Sequence, residues 1–363
     1  MRAERLKILV TGGAGFIGSH LVEGLVVRGH RVRVLDNFVS GHVENLRAVR
    51  ADVEIQEGDC ASPVDARKAV RGVDVVYHEA AVPNVARSIE EPTVCQHAGG
   101  VATLTMLEAA RGAGVRRFLY AGSSAVYGDS ARRPKRESME PHLVSPYAVE
   151  KLVGEHYLPV FASLYGLETL ALRYFNVFGP RQDVGCPYSG VVARFILALL
   201  RDEPPVIPGD GRQSRDFTYV TNVVEANLLA LHAKGLWGQV VNIATGRSTT
   251  INKLFALICR EVGQTAEPIE GGTAATGSSA RGEEGALAAE RKTCEPLHGP
   301  SAPGGVRHSF ADVTLAHRLL GYRPTVDLET GVRRTVSWYR NLTAPPVEAL
   351  GVALRARVAG VAP

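Results

Sequence analysis

The first 180 residues alternate two kinds of apolar pattern. Short β-branched runs, Ile8-Leu-Val10, Val32-Arg-Val-Leu35, Val53-Glu-Ile55, Val73-Asp-Val-Val-Tyr77, Phe118-Leu-Tyr-Ala121 and Leu167-Glu-Thr-Leu-Ala-Leu172, are separated by helical stretches such as Ser19 to Arg28. Strands spaced by helices predict an α/β fold with a Rossmann-like, doubly wound parallel sheet. Beyond about residue 180 prolines and glycines at 185, 187, 204, 205, 208, 209 and 211 break that rhythm. Helices such as Val191 to Arg201 then alternate with short extended pieces such as Val240-Val-Asn-Ile243. This divides the chain into residues 1–180 and a smaller C-terminal α/β domain over 181–343, with some segments returning to the first. Residues 264–305 are rich in Gly, Ala, Ser and Glu with almost no large apolar side chains, and read as a mobile insertion, either a lid or a disordered segment. The tail, 344–363, begins with two prolines and then has helical apolar spacing from Val347 to Val358, as a docked helix or a frayed end would.

The opening run adds chemistry to the pattern. The strand Ile8-Leu-Val10 leads into Thr11-Gly-Gly-Ala-Gly-Phe-Ile-Gly18, and a helix follows. Glycines at 12, 15 and 18 permit the tight turn, let backbone N–H groups approach a pyrophosphate, and let the helix pack close to the sheet. Asp36, which closes the next apolar run, stands where its carboxylate accepts from both hydroxyls of an adenosine ribose. A 2′-phosphate there meets a negative charge, so the expected cofactor is NAD rather than NADP. The bland alternative is a plain strand-to-helix turn, and the strand, helix and spaced acid together weigh against it.

Composition narrows the class by exclusion. Lys and Arg total 41 against 37 acids, a formal net charge of +4, which is no nucleic-acid signature. The cluster Arg132-Arg133-Pro-Lys135-Arg136 reads as a solvated loop. Cysteines at 60, 95, 186, 259 and 294 are odd in number and scattered, without Cys-x-x-Cys or His-Glu-x-x-His spacing, so neither a disulfide framework nor a metal site is expected. No run resembles a signal peptide or a membrane span, which gives the cytosol as the expected compartment.

Tyr147-Ala-Val-Glu-Lys151 sets a phenol and an ammonium one helical turn apart on one face. An unperturbed tyrosine titrates near ~10. A nearby Lys⁺ and the positive nicotinamide favour phenolate, and a shift of about three units represents roughly 4 kcal/mol. Such a tyrosine exchanges a proton with a sugar hydroxyl while hydride passes to NAD. Tyr-x-x-x-Lys also arises by chance, so its weight comes from its surroundings.

Those surroundings are Ala121-Gly-Ser-Ser-Ala-Val-Tyr127-Gly, following an apolar strand, and Arg173-Tyr-Phe-Asn-Val-Phe-Gly-Pro180. With the glycine turn and Tyr-x-x-x-Lys, they make the chain resemble the extended short-chain dehydrogenase/reductases, and within them the NAD-dependent sugar-nucleotide epimerase/dehydratase family. The resemblance spans all but the insertion and the tail. It implies Tyr147 as base and acid, Lys151 as the group that binds nicotinamide ribose and lowers the tyrosine pKa, and Ser123 as a hydrogen-bond partner of the sugar O4. It implies cofactor contacts from Gly12, Gly15, Phe16, Ile17, Gly18, Asp36, Asn37, Ser40, Gly41 and Tyr174, with Asp59-Cys60 lining the adenine and Ala80-Ala81 under the cofactor. On the substrate side it implies Asn176 and Arg215 at the diphosphate, Val192 with Val206-Ile207 as the uracil wall, and Ser124 beside the sugar. It also implies a homodimer, with helices over Val101 to Arg111 and Tyr147 to Tyr165 at the interface, although their apolar positions equally suit an intrachain core.

Within that family the two positions after the catalytic Ser/Thr separate reactions. Sugar 4,6-dehydratases resemble one another in carrying Asp-Glu there, and uronate decarboxylases a glutamate in the second place; here they are Ser124 and Ala125. With no following acid-base step, a 4-keto sugar is only re-reduced, and reduction on the other face is 4-epimerisation of a UDP-sugar. The gate position beside the sugar falls on Ser309, small enough for an N-acetyl group, and the stretch Arg173 to Leu231 resembles bacterial UDP-N-acetylhexosamine 4-epimerases. A uronate remains a rival, with Arg194 on the helix opening the substrate region as a carboxylate partner or simply a structural arginine. Three positions depart from the pattern: the usual diphosphate arginine falls on Ala302, the aspartate of its segment on Gly305, and an asparagine near the cofactor on Gly99. Arg307 is the substitute for the first. UDP-glucose, UDP-N-acetylglucosamine and UDP-glucuronate derivatives all stay open, as do a dehydratase, a decarboxylase and a catalytically silent NAD-binding scaffold.

Overall fold

Side chains of the central strands divide between two faces with the period of two that extended backbone imposes. In β1 (Lys7–Thr11), Ile8 and Val10 join one apolar cluster and Leu9 the other. The same division holds in β4 (Val75–His78), with Val75 and Tyr77 opposite Val76, and in β5 (Arg117–Ser123), with Leu119 and Ala121 opposite Phe118 and Tyr120. Burial on both faces is the condition under which a parallel sheet is stable. The computed structural model describes residues 5–82, 84–182, 190–266, 293–300 and 306–343.

With β2 (Arg31–Asp36), β3 (Val53–Glu57), β6 (Glu168–Tyr174) and a further strand, Trp237–Ile243, these form a seven-stranded, wholly parallel sheet. The spatial order from one edge is Trp237–Ile243, β6, β5, β4, β1, β2, β3. The chain thus runs outward from β1 to β3 and then restarts on the other side of β1 at β4. This is the Rossmann-like doubly wound topology, with its crevice between the C-terminal ends of β1 and β4.

Helices cover both faces. α1 (Phe16–Val27), α8 (Val220–His232) and α10 (Thr314–Leu320) bury Leu21, Leu25, Val223 and Leu320 against one face. α2 (Pro63–Ala69), α5 (Ala102–Gly112) and α6 (Pro146–Tyr165) bury Ala66, Met106, Leu107, Leu158 and Phe161 against the other. Ahead of α5 run α3 (Val85–Glu90), α4 (Pro92–Gln96) and a π-helical turn, His97–Val101.

A smaller α/β lobe is built from α7 (Val191–Leu200), α9 (Ile251–Val262) and α11 (Leu328–Thr343) around Phe195, Phe255, Val332, Val336 and Tyr339. Phe195 and Phe255 meet edge to face with centroids 6.0 Å apart, the arrangement the ring quadrupole favours. α8 and the strand Trp237–Ile243 lie between α7 and α9 in the chain, yet they pack on α1 and pair with β6.

The stretch read as a structureless insertion has paired flanks. Thr265–Ala266 pairs in parallel with Thr293–Cys294, and Leu297–Gly299 with Val206–Pro208. These backbone ladders need no large apolar side chain, which is why composition missed them. Residues 267–292, 301–305 and the tail 344–363 lie outside the described residues. Among the described residues no helix is long and apolar enough to cross a membrane.

Candidate active site

The turn after β1 is shaped by close backbone approach. Gly12 has φ +64°, and a Cβ on it would lie 2.8 Å from the Cα of Ala80 at the end of β4. In the first turn of α1 a Cβ on Gly18 would lie 2.2 Å from the carbonyl oxygen of Gly12. The turn therefore presses into the crevice between β1 and β4. Gly15 caps α1 without a side-chain bond, leaving the first N–H groups of the helix, beside half-buried Phe16 and Ile17, to face an anion. Thr11 fastens the strand ends: its hydroxyl pairs with His78 Nδ1 at 2.8 Å and accepts the Ala80 N–H at 3.2 Å. Ala81, next along, is half-buried.

Asp36 ends β2 beside this turn. Its Oδ2 accepts the Ala14 N–H and its Oδ1 the Phe38 N–H, both at 2.9 Å, and a Cβ on Gly41 would come within 2.8 Å of Oδ1. A carboxylate offers about four acceptor positions, so two remain for ribose hydroxyls while the charge still repels a 2′-phosphate. Together, the cradle left by Gly12 and Gly18 and the acceptors of Asp36 fit NAD. Asn37 and Ser40 are exposed beside it, and Asp59 accepts the Ala61 N–H at 2.8 Å, next to buried Cys60. Burial pushes the Cys60 thiol up to about 12, so it stays protonated.

The second cluster forms where β5 meets α6. β5 delivers Ser123 to a 3₁₀ turn, Ser124–Tyr127, where its hydroxyl accepts the Ala125 N–H at 3.2 Å; Ser124 is half-buried. α6 starts cleanly, with Ser145 accepting the Ala148 N–H at 3.2 Å and Pro146 in the first turn. In its first turn Tyr147 faces Ser123, and one turn further Lys151 Nζ donates to the Ala121 carbonyl at 3.0 Å. Lys151 Nζ stands 5.9 Å from the Tyr147 ring centroid and 5.2 Å from that of Tyr120. Ser123, Tyr147 and Lys151 are thus brought together.

The direction of the Tyr147 pKa differs from the expectation. Burial pushes the phenol up to about 12, against the opposing effect of Ser123, and the charge of Glu150 pushes the same way. Desolvation of the phenol sets this direction, while the Lys151 ammonium donates to the Ala121 carbonyl. Burial likewise lowers Lys151, against Glu150, Glu79 and Glu155, which raise it.

On the smaller lobe four expected residues gather about the two-residue strand Ser214–Arg215. Arg215 Nη1 donates to the Ser214 carbonyl at 2.9 Å, as does the N–H of buried Ser309 at 3.0 Å. Asn176, at φ +32°, donates to the Asp216 carbonyl at 3.3 Å, and Arg307 Nη2 pairs with Asp210 at 2.6 Å. The uracil wall is not assembled as expected. Val192 is 2 % exposed in the apolar core of this lobe, whereas Val206 is 53 % exposed on the strand beside Leu297. Arg194 lies exposed on α7. Ala302 and Gly305 lie outside the described residues.

Two acids went unmarked in the sequence. Glu79 accepts a 2.7 Å bond from the hydroxyl of Tyr174, which in turn accepts from Asn227 Nδ2 at 2.8 Å. The Tyr174 hydroxyl is therefore committed to a protein acid. Burial pushes Glu79 up to about 7, against Tyr174 and Lys151. Glu150, inside the Tyr-x-x-x-Lys run, is 1 % exposed. The available signal was an acid embedded within each motif, at 79 before Ala80-Ala81 and at 150 before Lys151.

Sheet order, glycine cradle and the Ser123, Tyr147, Lys151 cluster define an extended short-chain dehydrogenase/reductase, and the chain belongs to the NAD dependent epimerase/dehydratase family, which it matches over residues 8–244. NAD is the cofactor. The chain is 36 % identical to a putative UDP-glucose 4-epimerase of Methanocaldococcus jannaschii, over 92 % of this chain and 98 % of that one, and 36 % identical to a UDP-glucose 4-epimerase of Mycolicibacterium smegmatis, over 93 % and 99 %. A UDP-N-acetyl-alpha-D-glucosaminuronate decarboxylase of Bacillus cytotoxicus is 31 % identical over 93 % and 98 %. Among solved structures, the UDP-N-acetylglucosamine 4-epimerase of Methanobrevibacter ruminantium in complex with UDP-N-acetylmuramic acid has a TM-score of 0.81 at 35 % identity, covering 94 % of this chain and 100 % of that one. The UDP-glucose 4-epimerase of Thermotoga maritima with UDP-glucose has a TM-score of 0.81 at 36 % identity, covering 93 % and 100 %. A mutant UDP-glucuronic acid 4-epimerase of Bacillus cereus, in complex with UDP-4-deoxy-4-fluoro-glucuronic acid and NAD, has a TM-score of 0.80 at 29 % identity, covering 93 % and 100 %.

Proposed function

We propose that this chain is a UDP-sugar 4-epimerase that interconverts gluco and galacto configured UDP-hexoses through a transient 4-keto sugar. The observation that carries the reading is Tyr147 facing Ser123 beside Lys151, with Ser124 and Ala125 where a dehydratase carries Asp-Glu. Tyr147 accepts the proton of the C4 hydroxyl and later returns it, Ser123 aligns the C4 oxygen, and Lys151 keeps a positive charge beside the phenol. Bound NAD supplies reversible hydride transfer at C4, held by the Gly12 to Gly18 turn and Asp36. A methyl at Ala125 moves no proton, so the keto sugar has re-reduction as its outlet, against the dehydratase and decarboxylase readings.

The UDP-sugar is held from the smaller lobe by Asn176, Arg215 and Arg307, with Ser309 beside the hexose. UDP-glucose, UDP-N-acetylglucosamine and UDP-glucuronate are the candidate substrates. Proton NMR of the purified protein with each in turn tests the reading. Growth of a second anomeric signal for one of them is the expected result, and conversion of none with NAD bound would turn the assignment toward a non-catalytic scaffold.

The chain also works as a homodimer in this reading, through the face of α3 to α6. Ile89, Val94, Val149, Val160 and Leu164 are exposed there, next to a cleft of about 500 Å³ lined by Pro92, Gln96, Val101 and Pro146. Sedimentation at micromolar concentration checks it, with two chains as the expected mass.

A further inference from the structure

Gly99 sits in the π-helical turn between α4 and α5, and a Cβ on it would stand 2.5 Å from both Cδ and Oε2 of Glu150. The carboxyl of Glu150 therefore fills the space that any side chain at 99 requires. Neither of its oxygens meets a hydrogen-bond donor among the described residues. It follows Tyr147 by three positions and directly precedes Lys151, so Tyr147 and Glu150 are neighbours on α6. A carboxyl sealed in such a site ionises reluctantly and acts strongly on nearby charge when it does.

We propose that Glu150, seated against Gly99, is a positioning residue that governs proton transfer at Tyr147 through its own charge. The proposal rests on the reading of Tyr147 as the base. Neutral, Glu150 leaves the Lys151 ammonium to favour the phenolate; ionised, it opposes the phenolate and holds Lys151 protonated. Burial pushes Glu150 up to about 7, against the pull of Lys151, so both forms exist near neutrality. The groups it faces are Tyr147 and Lys151 on its own helix, Tyr120 from β5 and Cys95 from α4, behind which lie Arg87 and Glu91. Lys151 also feels Glu79 and Glu155. Among these neighbours Lys151 is the cation that acts on Glu150 directly, and Glu150 heads the acids that raise Lys151.

The test uses the NAD-loaded enzyme and the pH profile of kcat/KM on the UDP-sugar it converts. Glu150→Gln keeps the shape and removes the charge, so the acidic limb set by Tyr147 moves down by about one pH unit, a roughly tenfold gain below the limb. A limb that does not move in Glu150→Gln overturns the proposal. Tyr147→Phe separates the two readings: if it keeps turnover the base assignment fails, whereas an inactive Tyr147→Phe with an unmoved Glu150→Gln limb removes the Glu150 role alone. A second readout needs no activity. Gly99→Ala lowers the melting temperature and adding Glu150→Ser restores it; no restoration refutes the seating of the carboxyl against Gly99.

Discussion

Arg173 grips Glu155 at two points, Nε to Oε1 at 2.8 Å and Nη2 to Oε2 at 2.6 Å, with both side chains almost wholly out of water. The pair joins β6 to α6, four residues after Lys151, and the guanidinium also lies 4.8 Å over the Tyr127 ring. A bidentate buried pair fixes orientation, so it sets where α6 presents Tyr147 and Lys151.

Glu155→Ala strands a buried guanidinium and is expected to destabilise the protein by about 3–5 kcal/mol. Denaturant unfolding checks it; a loss below about 1 kcal/mol, the scale of an exposed pair, contradicts this account.

Tyr147→Phe removes the phenol but touches neither the glycine turn nor Asp36. Turnover is expected to fall by at least about 10²-fold, with NAD still carried through purification. Near-wild-type rates sink the assignment.

Gly12→Ala forces a side chain onto a φ of +64° and into the Ala80 backbone. Strain of about 1–3 kcal/mol and an opened turn should release the dinucleotide. Full NAD occupancy in the purified variant contradicts the cradle.

Ser124 and Ala125 supply no carboxyl for elimination, so mass spectrometry of exhaustive reactions should find UDP-hexose isomers and no 4-keto-6-deoxy product. Its accumulation would falsify the argument from Ala125.

Glu150 has its folded pKa raised from 4.5 to about 7, so the native state holds that proton more tightly than the unfolded chain does. Its contribution to stability is full below about 4.5 and lost as pH rises through about 7. The melting temperature of wild type should therefore fall relative to Glu150→Gln between about pH 5 and 8, and a constant difference across that range contradicts the burial of the acid.

The sequence by itself determined what depends on near neighbours. The alternation of Ile8, Leu9 and Val10 set strand faces, the glycines at 12, 15 and 18 set the turn, and spacing put Tyr147 and Lys151 one helical turn apart. Tertiary structure decided what depends on residues distant in the chain. The extended character of Val240 to Ile243 and the return of some segments to the first domain are legible in sequence, but that Trp237–Ile243 is the returning strand and pairs with the open edge of β6 is not. Thr265–Ala266 finds Thr293–Cys294 through backbone hydrogen bonds that leave no mark in side-chain composition. Val192, which the resemblance assigns to the uracil wall, is core once α9 and α11 pack over it. Tyr147 titrates upward because its desolvation, and the charge of Glu150 in the space left by Gly99, arise only when α6, β5 and the π-helical turn close on one another.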